Sequence, residues 1–395
     1  MPHHHEYRWH LFQDFRNIKL SGPLTALFSC QLIQQVANGL IGLFIPVFLY
    51  QKLGFSLIAV SLYCLASYTS WFLLVPVGAK WMSKIGIKKS LIISVVFSAF
   101  YFLSLQFFDL TDNRWWLLSS IFFVDLTRMF FWVQYHTDFA KFSNKSVRGR
   151  QISLFSSVAS LVAVLIPFIS GLMLENYGFG ILFISALIIY LASALPLFMI
   201  PEVKEEYSFG YLESFKQLFS AKNKRMLWSY SADGAQGFIG MVLWPLFIWL
   251  VLDENYAAVG LVSSIIILVS IIVRLIVGEY SDKLSKKKIL KLGTALYAIG
   301  WIFKIFVFTG FQIFIASTYH NFAEIVMRTP YDALMYDKAA DSGKMVDEYN
   351  TMREIALNFG RILIILLIIA GFYFTGDLTL SFILAAVTSL LINLI

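Results

Sequence analysis

A chain of 395 residues would ordinarily divide into two or three soluble domains, but 58% of this one is hydrophobic and only 14% is charged, with a mean hydropathy of +0.73. A soluble fold cannot hide that much apolar surface, so the composition points to a polytopic membrane protein. The net charge of +7 is not a nucleic-acid footprint, because the cations sit in the connections between apolar runs.

Lipid offers backbone groups no outside partner, so the spans must be helices or a closed barrel. Barrel strands would be shorter and alternate in polarity; these runs approach or pass the roughly 20 residues a helix needs to cross. The first residues, Met-Pro-His-His-His-Glu, are too polar for a cleavable signal. Tyr7 to Lys19 mixes apolar and charged residues as an amphipathic helix on the membrane surface would. The first span runs from about Pro23 to Tyr50 and the second from Ser56 to Ala79. A basic turn from Pro76 to Lys89 follows, then a third span, Ser90 to Phe108, and a fourth, Trp115 to Phe139. Beyond a basic loop with Lys141, Lys145, Arg148 and Arg150, the fifth span reaches Glu175 and the sixth covers Phe179 to Ile200. Pro201 to Arg225 is polar and reads as a linker with a short interfacial helix around Leu212 to Phe219. The second set of spans is Met226–Leu252, Ala257–Gly278, Ile289–Thr309, Phe311–Lys338, Thr351–Thr375 and Leu378 to the end.

The expected fold is thus all-α and integral to the membrane, with twelve transmembrane helices. The domain plan is an N-terminal amphipathic segment (1–22), a six-helix bundle (23–200), a linker (201–225) and a second bundle (226–395). Lysines and arginines gather in the loops on one side and in the linker, while the other side has little beyond Lys52 and Arg114. That asymmetry places both ends in the cytoplasm. The halves repeat at a separation of about two hundred residues. Asn38-Gly39-Leu40-Ile41-Gly42 with Pro46 and Phe48 matches Gln236-Gly237-Phe238-Ile239-Gly240 with Pro245 and Phe247. Asp125 and Arg128 match Glu324 and Arg328, Asp138 matches Asp337, and Ser170-Gly171 matches Ala370-Gly371. A six-plus-six parallel repeat is a transporter architecture.

The second basic turn, Gly278 to Lys288, resembles the signature loop of the major facilitator superfamily, a glycine followed by x-x-x-Asp-(Arg/Lys)-x-Gly-(Arg/Lys)-(Arg/Lys). Gly278, Asp282, Lys283, Lys286 and Lys287 fit it, with Ser285 in place of the second glycine. In the first copy Lys84, Gly86, Lys88 and Lys89 fit, but Ser83 replaces the acid and Gly78 is one residue out of register. The resemblance implies two six-helix bundles related by a pseudo-two-fold axis around a cavity open alternately to each side. It further implies a cytoplasmic gate in which Lys84 or Lys88 reaches Asp138, and Lys283 or Lys287 reaches Asp337. Spans 1, 4, 7 and 10 line the cavity in that superfamily.

Those four spans carry most of the polar residues at membrane depth, where a centred charge costs about 2.5–3.5 kcal/mol unless paired or wetted. The first has Gln31, Gln34, Gln35 and Asn38; the fourth has Asp125, Arg128 and Trp132; the seventh has Asp233 and Gln236. On the tenth, His320, Glu324, Arg328 and Asp332 form an i, i+4 ladder, and the eleventh adds Asn358 and Arg361. In one reading Asp125, Glu324 and Asp233 carry a coupling proton while Arg128 and Arg328 tune them or hold an anionic substrate group. In the other they are fixed ion pairs. His136 and His320 titrate in the right range for proton carriers. Trp132, Tyr68 and Trp244 are candidates for an aromatic cavity wall, with core packing as the plainer alternative. Lys304 and Arg274 lie on helices that are usually peripheral, where snorkelling or a local partner is expected rather than transport chemistry. Cys30 and Cys64 read as small core residues, and no metal or cofactor site is expected.

No phosphate-binding loop, zinc motif or nucleophile elbow is present in the sequence. The expected function is a secondary active transporter of a small solute in the cytoplasmic membrane, proton-coupled and monomeric, with the lipid bilayer, a small-molecule substrate and protons as partners and no nucleic acid. An uncoupled facilitator or lipid flippase is the first alternative; a non-transporting membrane enzyme or receptor on the same scaffold is the second. Ile166-Pro167-Phe168-Ile169-Ser170-Gly171 partly resembles a glycine-rich stretch of antiporters in the superfamily, which implies export. The substrate is not legible.

Overall fold

The computed structural model describes residues 21–142, 148–202, 207–278, 285–341 and 345–395, with backbone alone at 136–141, 148–154, 156–157, 273–278, 336–337 and 339–341. Among these the chain is helical almost throughout and has no strand. The lead-in segment Tyr7–Lys19, Asp282 and Lys283 lie outside the described residues, as do the side chains of His136, Asp138 and Asp337.

Helix α1 (Gly22–Gly42) starts at Ser21, whose Oγ accepts the Leu24 N–H at 3.3 Å, with Pro23 in the first turn where its missing donor costs nothing. The chain breaks at Leu43–Phe44 and resumes as α2 (Ile45–Lys52) with Pro46 in its first turn. A continuous helix would drive the Pro46 ring into the Gly42 carbonyl and leave that carbonyl without its donor. The second half repeats the device. Helix α9 (Lys224–Phe238) loosens into a π turn, Ile239–Leu243, before α10 (Trp244–Val251) begins around Pro245. The duplication is therefore visible in the backbone as well as in the letters.

Between these lie α3 (Leu57–Ile85), α4 (Ile87–Thr111), α5 (Arg114–Phe142), α6 (Arg148–Ala192), the short α7 (Ala194–Leu197) and the linker helix α8 (Tyr211–Leu218). Helix α6 is two helices joined at Gly178, whose φ of 74° lets the chain turn back and separates the expected fifth and sixth spans. Beyond α10 come α11 (Tyr256–Gly278), α12 (Lys286–Ile305), α13 (Gly310–Asp341), α14 (Val346–Thr375) and α15 (Leu380–Leu391). The first basic turn is much shorter than expected. Helix α3 runs through Lys80 and Lys84 to Ile85, and α4 starts at Ile87. Gly86 alone makes the corner, at φ 87° and ψ 160°, a conformation only glycine takes without strain. Gly78 ends nothing: it is buried inside α3 against Met129 of α5.

Seven helical runs among the described residues are long and apolar enough to cross a membrane: 22–52, 57–85, 87–111, 114–135, 158–197, 221–251 and 346–375. Helices 256–272 and 380–394 are apolar but shorter. Helices α12 and α13 fall short on apolarity, α12 because it opens on Lys286, Lys287, Lys288 and Lys291, α13 because it carries His320 through Asp332. Exposed Leu161, Leu165, Phe122, Ile188, Ile272 and Leu367 form part of an apolar outer surface. In water such patches would associate; in a bilayer they are the solvated face.

Packing follows the repeat. In the first half α1 packs on α6, α3 on α5, and α4 on both α5 and α6; in the second, α9 packs on α14, α11 on α13, and α12 on α13 and α15. The halves meet where α6 crosses α11 and where α3 crosses α14, with a smaller contact of α2 on α10. The α6–α11 crossing depends on Gly171 and Gly260. A Cβ on Gly171 would lie 2.5 Å from the Tyr256 carbonyl oxygen, and one on Gly260 would meet the Pro167 carbonyl. Small residues at such crossings let backbones touch, which is how helices bind where lipid removes the hydrophobic drive. This contact accounts for Gly171 without reference to a direction of transport. Tyr256 completes the closure of that end, donating from its hydroxyl to Gln51 Oε1 at 2.8 Å and packing on Phe44, Phe179 and Trp249.

The linker helix forms at Tyr211–Leu218, close to its expected position, with Leu212 and Phe219 exposed. Phe215 packs on Phe72 of α3 and Phe219 on Phe359 of α14, so the segment touches both halves.

Candidate functional site

The charged residues of the spans fall into two clusters. The first is centred on α5. Asp125 is fully buried; its Oδ1 accepts from Arg128 Nη1 at 3.1 Å and from Ser67 Oγ at 3.1 Å, and Arg128 also donates to Ser67 at 2.8 Å. The i, i+3 spacing places acid and base on one face of α5, and Ser67 of α3 closes the triangle. The Arg128 guanidinium lies 5.3 Å from the Tyr68 ring centre and 4.9 Å from that of Trp71. Arg361 of α14 approaches the same rings, at 5.1 and 5.3 Å. It donates to Asn358 Oδ1 at 2.9 Å, and Asn358 is anchored by its own bond to the Glu354 carbonyl, also 2.9 Å.

A cavity of about 160 Å³ adjoins this cluster, walled by residues of α1 to α5 and by Met241 and Val242 of the π turn. Arg128, Ser67, Tyr63, Tyr68 and Tyr101 face it. The break at Pro46 and the π turn before Pro245 thus both border one space between the halves.

The second cluster joins α9, α12 and α13. Arg328 holds Asp233 in a two-pronged pair, Nη1 to Oδ2 at 3.0 Å and Nη2 to Oδ1 at 2.8 Å. Gln236 Nε2 donates to Asp233 Oδ1 at 2.9 Å, and the Tyr297 hydroxyl donates to Gln236 Oε1 at 2.5 Å. The expected partnership of Glu324 with Arg328 is therefore displaced. An i, i+4 acid on the same helix offers at best a single contact, whereas the carboxylate facing Arg328 from α9 accepts two parallel bonds. Glu324 is left half-buried, with no hydrogen bond or ion pair at bonding distance among the described residues. It acts through space on Arg328 below it and on Lys304 of α12. His320 is 4% exposed, its ring 4.3 Å from Tyr297 and 4.5 Å from Trp301, and its Nδ1 has no partner.

Lys304, expected to snorkel or to find a local partner, has the local partner. It is 2% exposed, with its ammonium 3.9 Å from the Trp301 ring and 4.4 Å from Trp244. Trp244, for which core packing was the plainer reading, is buried and packs there. The signal was in the sequence: Trp301, three residues before Lys304, provides an aromatic face on the same side of the helix. Arg353 was overlooked, since it stands near a helix start among topogenic charges; it is partly buried and paired with Glu354 at 2.9 Å.

Several expected cavity residues have other duties. Gln34 is buried and donates to Ser193 at 3.3 Å, Gln35 donates to the Ala159 carbonyl at 3.2 Å, and Gln31 accepts from the Tyr135 hydroxyl. Asn38 is exposed, and Trp132, which is 38% exposed and packs on Phe131, is not among the residues lining the cavity. At the expected gate Lys88 donates to the Phe198 carbonyl at 2.8 Å, and Lys84 lies 6.0 Å from the Trp81 ring. Lys287 is exposed at the start of α12. Cys30 and Cys64 are free, buried thiols, and no group of residues with metal-binding geometry occurs among the described residues.

Solved structures with this arrangement are transporters. A crystal structure of a POT family transporter in complex with a thioalcohol-conjugated peptide is 12% identical, covers 94% of each chain and superposes with a TM-score of 0.70. A POT family transporter in complex with 5-aminolevulinic acid is 14% identical over 94% of each chain, with a TM-score of 0.68. The fucose:proton symporter of E. coli is 15% identical over 94% of this chain and 97% of its own, with a TM-score of 0.66. At such identities the likeness shows the fold. No curated protein matches the sequence. The sequence matches the Major Facilitator Superfamily over residues 27–360, and with that match the chain belongs to the superfamily, a multi-pass membrane transporter and not an enzyme.

Proposed function

We propose that the protein is a proton-coupled secondary transporter of a small solute in the cytoplasmic membrane, with Glu324 as the proton carrier. The observation that carries this reading is the position of Glu324. It is a half-buried carboxylate on α13, at membrane depth, fixed by no bonded partner and flanked by Arg328 and Lys304. Asp125 and Asp233 are instead tied to arginines at 3.1 and 2.8 Å, which suits structural pairs better than a group that must change charge in each cycle. Desolvation favours the neutral acid and water favours the carboxylate, so exposing Glu324 alternately to the two sides lets it take up a proton on one and release it on the other.

In this scheme residues 23–200 and 226–395 rock against each other across the 201–225 linker. The Gly171–Gly260 crossing and the Tyr256–Gln51 bond close the outer end, and the gate formed by Asp138, Asp282, Lys283 and Asp337 works on the inner side. Both ends of the chain are cytoplasmic. A cysteine introduced at Lys88 or Lys286 is expected to resist an impermeant maleimide added to intact cells and to react once the cells are opened. Labelling from outside reverses the orientation.

The functional test uses proteoliposomes with a trapped pH dye and a panel of metabolites. Coupling predicts that at least one solute moves protons as it moves and accumulates when a pH gradient is imposed. Flux that ignores the gradient for every transported solute leaves the uncoupled facilitator. The sign of the proton movement separates import from export.

A further inference from the structure

The first cluster carries a charge that the proton-coupling scheme does not use. Arg128 is balanced by Asp125. Arg361, from the opposite half, bonds only the neutral amide oxygen of Asn358, and no carboxylate lies within ion-pair distance of it among the described residues. Both guanidiniums rest on the same two rings, Tyr68 and Trp71, within 4.9–5.3 Å of the ring centres. Two cations against one anion leave the cluster with a single excess positive charge on partly buried side chains. Ring faces attract such a cation, but less strongly than a paired counter-ion would.

Tyr68 also forms part of the wall of the cavity of about 160 Å³, and Arg128 lines it. Apart from Ser67 and Cys64 the remaining wall is apolar or aromatic, including Ile45, Pro46, Tyr101 and Val242, and Arg361 stands just behind it on the Tyr68 ring. An enclosed apolar space of about 150 Å³ takes a guest the size of a benzene ring. We propose that this cavity is the binding site for a small monocarboxylate. Its apolar body, about one ring in size, fills the space between Pro46 and the π turn, and its carboxylate is shared by Arg361 and Arg128 over Tyr68. The charge balance selects a monoanion: a cation would face two arginines, and a dianion would overshoot the one unmatched charge. Because the arginines come from different halves, such a ligand would also tie the halves together. The identification of this ligand as cargo rests on the transporter reading above; its binding does not.

Benzoate, benzamide and benzamidine have nearly the same shape and carry one negative, no and one positive charge. Thermal unfolding of the full-length protein in nanodiscs is followed with each in turn, since a ligand of the folded state raises the midpoint. Benzoate is expected to raise it by several degrees and the other two to leave it unchanged. Arg361→Gln should abolish the benzoate shift, and Arg361→Lys should keep part of it. Equal shifts with benzoate and benzamide, or none with benzoate, overturn the site on the wild-type protein alone, whether or not a variant folds. An undiminished benzoate shift in Arg361→Gln also overturns it. Counterflow of labelled benzoate in proteoliposomes separates the two claims. Stabilisation without flux upholds the site and counts against transport of this class, whereas flux of other solutes with no benzoate response rejects the site and leaves the transporter reading standing.

Discussion

Glu324→Gln is expected to yield a folded protein that still exchanges substrate across the membrane but no longer concentrates it. The substitution keeps the shape and removes the proton. Glu324 has no bonded partner to lose, and the indoles of Trp301 and Trp244 that hold Lys304 at 3.9 and 4.4 Å remain in place, so unfolding is not expected. A pH gradient of about one unit is worth about 1.4 kcal/mol per proton, which supports roughly tenfold accumulation at one proton per solute. The wild-type protein should show that factor in proteoliposomes and the variant should stop at equal concentrations, with counterflow little changed. A variant that still accumulates substrate under the gradient removes Glu324 from the coupling scheme. A variant that aggregates would mean that Glu324 serves the fold, through its charge on Lys304 and Arg328.

The contrast between Glu324 and its neighbours was only half legible from the letters. Length and apolarity give most of the spans, and the repeat reports Pro46 and Pro245, whose backbone breaks both appear. The ladder His320–Glu324–Arg328–Asp332 also stands as read on a single helix, α13. What periodicity cannot convey is which residue faces a side chain from another helix. Arg328 has Glu324 four residues away and Asp233 ninety-five residues away, and the distant acid takes both prongs because it meets the guanidinium head-on. For Lys304 the choice between snorkelling and a local partner stayed open for a related reason. A lone lysine near the end of an apolar helix ordinarily snorkels to the interface, but here two tryptophans from different helices shield it. Arg361 was read as one more polar residue on its span, although its relation to Arg128, on the other side of the repeat, is the most informative feature of the cavity region. Helix ends were underestimated at the first basic turn for a simpler reason. Lys80 and Lys84 are good helix formers, so charge there ends the membrane span without ending the helix.

The second large effect is expected at Asp233, and it is one of stability. Asp233 is 7% exposed and Arg328 31%, and their two-pronged pair is buttressed by Gln236, which Tyr297 orients in turn. Asp233→Asn keeps the volume but removes the counter-charge, leaving a partly buried guanidinium with which Glu324 and Asp332 of its own helix make no ion pair among the described residues. Removing one partner of a buried pair typically costs about 3–5 kcal/mol, most of it from the stranded charge. The partial exposure of Arg328 places the expected loss at the low end, about 3 kcal/mol. Thermal unfolding in detergent should show a clear fall in midpoint. The double variant Asp233→Asn with Arg328→Gln removes the stranded charge and should recover most of the loss, since a neutral amide pair can hydrogen-bond in the same place. Recovery in the double variant marks the pair as a structural tie between α9 and α13. If Asp233→Asn alone is as stable as the wild type, Arg328 has another acid within reach. Glu324 is then the first candidate, and the pair would exchange partners during the cycle.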